Sequence, residues 1–126
     1  MNYIVFDLEW NQCPYGKGQE NERIPFEIIE IGAVKLNSER QIIDQYQILI
    51  QPRVYKKLHH RTREIIQMDM KLLEREGIPF YRAVKEFLKW CGEDALFFFL
   101  GNSDLLELQL NMTYYGLLQL LKGAIR

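Results

Sequence analysis

The chain has 126 residues and a formal net charge of −1, with 48% hydrophobic and 13% aromatic residues. That length suits one domain spanning residues 1–126 and not two. The composition excludes a disordered chain, and the near-neutral charge means that any polyanionic partner needs a local basic patch.

The first stretch, Tyr3-Ile4-Val5-Phe6-Asp7-Leu8-Glu9-Trp10, starts as a run of β-branched and aromatic residues, the composition of a buried strand. Asp7 and Glu9 stand at i and i+2, so on an extended chain they point to one side, roughly 6.5–7 Å apart. Two like charges at the end of an apolar strand repel and lose hydration. A divalent cation removes both costs, because carboxylate oxygens suit hard metals. The plain alternative is that the two acids mark the solvated end of the strand.

Asn11 to Pro25 is polar and reads as a long loop, either functional or a bland insertion. Phe26 to Leu36 is a second strand, Asn37 to Arg40 a turn, and Gln41 to Gln51 a third strand ended by Pro52. These three strands are expected to form an antiparallel meander. Arg53 to Arg63 holds Arg53, Lys56, Lys57, His59, His60, Arg61 and Arg63, the one dense basic cluster of the sequence. It is either a solvated charged face or a surface for backbone phosphates. The two histidines lack any zinc-binding context.

A short helix is predicted over Thr62 to Glu74, broken by Gly77. Pro79 opens a second helix whose Phe80, Ala83, Val84, Phe87, Leu88 and Cys91 follow helical spacing up to Gly92. Ala95-Leu96-Phe97-Phe98-Phe99-Leu100 carries no charge and no alternation, which predicts a parallel strand buried on both faces. Gly101-Asn102-Ser103 is a tight turn, Asp104 opens a helix closed by Gly116, and Leu117 to Leu121 begins another element. Asp104 with Glu107 fits a capping box or a favourable helix-dipole charge. It also follows a strand expected beside the first, which would bring Asp7, Glu9 and Asp104 to one sheet edge, where ligand sites of α/β sheets gather.

Cys13 and Cys91 are the only cysteines, the start Met1-Asn2-Tyr3 has no basic segment followed by a long apolar run, and no apolar stretch approaches membrane-spanning length. The expectation is a cytoplasmic protein with free thiols and no membrane partner, Cys91 being a small core residue.

Ile4-Val5-Phe6-Asp7-Leu8-Glu9, followed by Ile28-Ile29-Glu30-Ile31-Gly32-Ala33-Val34, resembles the first motif region of the DEDD (DnaQ-like) 3′–5′ exonucleases. Asn102-Ser103-Asp104-Leu105-Leu106-Glu107-Leu108, then Asn111, Tyr114, Tyr115 and Gly116, is similar to the second. The resemblance implies an α/β, ribonuclease H-like mixed sheet with flanking helices. It also implies removal of nucleotides from single-stranded DNA or RNA 3′ ends with two Mg²⁺ or Mn²⁺ ions, of which one is expected here. Asp7, Glu9 and Asp104 become the catalytic acids and metal ligands. The segment Ile65-Ile66-Gln67-Met68-Asp69 falls where the family packs against the terminal nucleotide, so Ile66 and Met68, with Leu8 and Trp10, are candidate nucleic-acid contacts, joined by Lys56, Lys57, His60 and Arg61 of the basic cluster.

Two departures qualify the resemblance: Leu100 stands before Gly101 where an aromatic or polar residue is usual, and the third motif is absent, with its general base and fourth acid. No His or Asp follows Asp104. The expectation is therefore a C-terminally incomplete exonuclease-like domain, impaired or inactive and self-associating through an uncovered strand. The alternative is a nucleic-acid-binding or regulatory module that has lost catalysis.

Overall fold

The computed structural model describes residues 1–101 and 103–121. In chain order the elements are β1 (Asn2–Gln12), β2 (Phe26–Leu36), β3 (Ile42–Leu49), α1 (His60–Ile66), α2 (Met70–Glu76), α3 (Phe80–Cys91), β4 (Ala95–Phe99), α4 (Asp104–Tyr114) and a 3-10 turn (Leu118–Leu121). The four strands form one mixed sheet in the order β3-β2-β1-β4. β1–β2 and β2–β3 are antiparallel, and β4 runs parallel to β1, with Phe6 opposite Phe99. The expected meander plus one parallel strand is thus present. No helix among the described residues is long and apolar enough to cross a membrane.

Strand alternation sorts β1 into two faces. Ile4, Phe6 and Leu8 are buried, while Tyr3, Val5, Asp7 and Glu9 on the other face are half-buried. The buried face meets α3 and α4. Phe6 sits edge-on to Phe87, Phe97 and Phe99, with ring centroids 4.6–6.1 Å apart, in the range where such pairs attract. α3 buries Phe80, Ala83, Val84, Phe87 and Cys91, as its spacing predicts, and Gly92 stops it at φ 81°. Burial pushes the Cys91 thiol up to about 12.

Three buried polar side chains hold these layers in register. Asn111 of α4 accepts from the Ile28 N–H (3.0 Å) and donates to the carbonyls of Phe26 (2.9 Å) and Glu107 (2.8 Å), tying the helix to the start of β2. Asn11 accepts from the His59 N–H (2.9 Å) and donates to the Lys57 carbonyl (3.0 Å). The carboxylate of Glu27 accepts from the backbone N–H groups of Arg53 (2.7 Å), Val54 (2.9 Å) and Tyr55 (3.1 Å). Burial raises the Glu27 carboxyl above the ordinary range, and those three donors pull it back in part.

The structure departs from the sequence reading in two elements. The helix expected over Thr62 to Glu74 is two helices. Gln67 takes a left-handed conformation (φ 52°) that closes α1, and the Asp69 carboxylate accepts from the Leu72 N–H to cap α2. β4 is an edge strand and not one buried on both faces: Phe97 and Phe99 pack into the core, while Phe98 is 46% exposed beside Tyr3. The turn before α4 includes Asn102, which lies outside the described residues.

Glu27→Ala strands three backbone donors and is expected to cost about 3 kcal/mol in denaturant unfolding. Glu27→Gln, which keeps an acceptor oxygen, is expected to cost less. Equal stability of Glu27→Ala and wild type would show that water satisfies those donors.

Candidate active site

The half-buried face of β1 presents Asp7 and Glu9 next to the end of β4. The Leu100 N–H continues the parallel ladder to the Phe6 carbonyl (3.3 Å), after which the chain turns into α4. Asp104 is the first residue of that helix, and its side chain is 1% exposed. Its Oδ2 accepts from the Gly101 N–H at 3.0 Å. A Cβ on Gly101 would sit 2.9 Å from Asp104 Oδ1, so any side chain at 101 would displace this carboxylate from its seat.

The acids press on one another. Glu9 is held above the ordinary carboxylate range by burial first, then by the charges of Asp7, Glu30 and Asp104. Asp104 is raised by burial and by Asp7, against the lowering effect of the Gly101 N–H. Glu30 was not foreseen. It lies directly across from Glu9 in the β1–β2 ladder, where like charges destabilise, and it accepts from the Gln47 amide. The hairpin register was the signal that could have found it. A register shift follows at Glu9/Trp10 and turns the strand end, with the Trp10 ring 5.9 Å from that of Phe26.

The capping-box alternative for Asp104 is not realised, since Ser103 stands at the N-cap and makes no side-chain capping bond. Glu107 is buried, its Oε2 has no partner among the described residues, and burial raises its carboxyl.

The donor set of Asp7, Glu9 and Asp104 is all carboxylate oxygen, the chemistry that hard divalent cations take. Their side chains are not closed into a cage: among the described residues no three His, Cys, Asp or Glu groups are gathered to hold a metal ion. The Asp104 carboxylate is instead engaged by the Gly101 N–H.

A cleft of about 180 Å³ opens beside Glu9, between Leu8, Trp10 and Gln12 of β1 and Arg61, Thr62, Ile65 and Ile66 of α1. Of the residues predicted for nucleic-acid contact, Leu8, Trp10, Arg61 and Ile66 therefore meet at Glu9. Met68 does not line this cleft and packs against the small core of Ile29, Leu58 and Leu73. Lys57 and His60 line a different concavity. The Lys56 N–H donates to the Tyr15 hydroxyl. His59 and His60 stack at 4.3 Å, and His59 Nδ1 accepts from the Arg61 N–H. The His59 imidazole is held below its usual range by slight burial, then by the charges of His60 and Arg61. Neither histidine lines the Glu9 cleft.

No family model matches the sequence, and no curated protein matches it. Solved structures do match the fold. The nuclease domain of 3′hExo, a DEDDh family member bound to rAMP, is similar at 20% identity with a TM-score of 0.74, over 92% of this chain and 60% of that one. Cell-death related nuclease 4 (CRN-4) is similar at 14% identity and a TM-score of 0.73, over 91% of this chain and 40% of that one. E. coli Exonuclease I in complex with a dT13 oligonucleotide is similar at 9% identity and a TM-score of 0.66, over 91% and 23%. The chain thus has the ribonuclease H-like fold of DEDDh 3′-exonucleases and spans little more than half, or less, of their lengths.

Because Glu9 and Asp104 hold protons more tightly folded than unfolded, protonation stabilises the fold. That contribution is complete below the ordinary carboxylate range and is lost as pH rises through the raised folded values. Asp104→Asn is therefore expected to melt above wild type at neutral pH, with the gap closing near about pH 3. A gap that does not change with pH would mean that its origin is not ionisation.

Proposed function

We propose that this chain is a nuclease-type module directed to the 3′ ends of single-stranded nucleic acid, with Asp7, Glu9 and Asp104 as ligands for Mg²⁺ or Mn²⁺. One observation carries the reading. Asp7 and Glu9 at the end of β1 and Asp104 at the start of α4 lie near enough that burial and mutual repulsion raise Glu9 and Asp104, and such crowding marks sites built for a cation or a proton. Divalent ions bound there would supply charge neutralisation for a phosphodiester and a water of lowered pKa.

The chain's own residues supply the rest. Trp10 and Ile66 give the cleft apolar walls against which a terminal base and sugar pack. Arg61, on the facing helix, offers a planar cation for a phosphate. The structural neighbours include proteins with rAMP or dT13 bound and one that recognises a histone mRNA stem-loop, which supports a nucleic-acid ligand without choosing between RNA and DNA. With both histidines across α1 from Glu9, the cleft holds no imidazole to take a proton from water. This favours weak hydrolysis, or a second reading in which the module binds 3′ ends without cutting them.

Mn²⁺ is expected to raise the melting temperature of wild type and not of Asp7→Ala. An equal shift in both would place any metal elsewhere. A 5′-labelled oligonucleotide separates the readings: a ladder abolished by Asp7→Ala supports the enzyme, and binding without a ladder supports the module.

The same reading includes self-association. Among the described residues β4 has no partner on its outer edge and Phe98 is exposed, features that pair with other chains. Sedimentation at rising concentration is expected to show mass above the monomer, reduced in Phe98→Lys, whereas a constant monomer mass would refute it.

A further inference from the structure

α1 has two working faces. Arg61 and Ile65, and Thr62 and Ile66, stand four residues apart and line the Glu9 cleft. His60 and Arg63, three apart, point to the other side. There, with Lys57, His59 and Lys71, they line a second concavity of about 780 Å³, far larger than the first. Its far wall is the loop at Pro14 and Gly16.

This concavity is strongly and freely cationic. None of the salt bridges among the described residues engages Lys57, Arg63 or Lys71. The single acid on its wall, Asp69, has Oδ1 committed to the Leu72 N–H at 2.8 Å. His59 accepts at Nδ1 from the Arg61 N–H (3.1 Å), so its neutral ring carries the proton on Nε2 and is a donor there. The cluster is also pinned. Asn11 holds the backbone at Lys57 and His59, and the Lys57 ammonium lies 5.6 Å from the centre of the Tyr15 ring. A held cluster of unpaired cations and donors is what a phosphate backbone recognises.

We propose that this pocket binds backbone phosphates of the same strand whose 3′ end enters the Glu9 cleft, a few nucleotides to the 5′ side, with the strand crossing over α1. The assignment rests on the 3′-end reading above and adds a second contact and a minimum strand length to it. A helix with its side chains is about 10–12 Å across, so a mononucleotide reaches one concavity only. The preferred ligand is a single strand long enough to fill both.

The test is fluorescence anisotropy with a 5′-fluorescein octathymidylate in EDTA, which prevents hydrolysis. Arg63→Glu with Lys71→Glu is expected to weaken binding about tenfold and to flatten the log–log salt slope by about 1.4, the value for two lost single-strand phosphate contacts. Lys85→Glu with Lys89→Glu makes the same change in net charge on exposed positions of α3 and is expected to bind like wild type. The milder Arg63→Gln with Lys71→Gln, checked by melting for an intact fold, is expected to fall between. Wild-type affinity and slope in the Arg63/Lys71 variant, or equal loss in the Lys85/Lys89 variant, overturns the proposal. A 3′-phosphorylated octathymidylate tests the underlying reading separately. The added dianion should weaken binding next to Asp7, Glu9 and Asp104, and indifference to it defeats the 3′-end reading while the salt slope still judges the pocket.

Discussion

The Glu27 carboxylate is the contact on which the functional surface depends. It leaves solvent at the start of β2 and spends both oxygens on the N–H groups of Arg53, Val54 and Tyr55. Those residues begin the segment that carries the cations, and without such an anchor a run of like charges repels itself into an extended chain. Asn11 repeats the device a few residues on, bonding Lys57 and His59 from the end of β1. The acidic strand and the basic segment are therefore one assembly, joined by buried polar side chains.

The acidic site is organised by opposed demands. The apolar face of β1 needs Ile4, Phe6 and Leu8 in the core, and that fixes Asp7 and Glu9 on the opposite face, Glu9 across from Glu30, with Asp104 near enough for the charges to act on one another. Packing wins: the energy of burying the strand and α4 outweighs the cost to the acids, whose burial first, and mutual repulsion second, appear as raised proton affinity at Glu9 and Asp104. Gly101 leaves room for the arrangement, because a side chain there would press on the Asp104 carboxylate.

Much of this was legible in the sequence, for reasons that vary by element. β1 announces itself through its run of β-branched and aromatic residues and α3 through period 3.6, and Pro79 and Gly92 bracket α3 as expected. The pair Asp7 and Glu9 is visible from spacing, and Asp104 from its place after an apolar strand. The break at Gln67 is not, because a left-handed glutamine leaves no compositional trace; Asp69, a good capping residue, was the available hint. The uncharged run of β4 records its hydrophobicity and not its neighbours, so the expectation of an uncovered edge came from the resemblance and not from the run itself. His60 falls away from Glu9 because of the helical phase of α1, with His59 at its N-cap, and a boundary error of one residue already shifts that phase by more than a quarter of a turn.

α1 is a seven-residue helix closed by a left-handed glutamine and started by a histidine. A helix so short does not persist by its own propensity, and it buries only Thr62 fully. Its backbone amides should therefore exchange with deuterium well before those of β1, as a small cooperative unit that opens independently of the sheet. Each opening would dismantle both concavities at once, because one helix is their shared wall. Occupancy of either one would then protect the amides facing the other, and the two sites would be thermodynamically linked with no contact between their ligands.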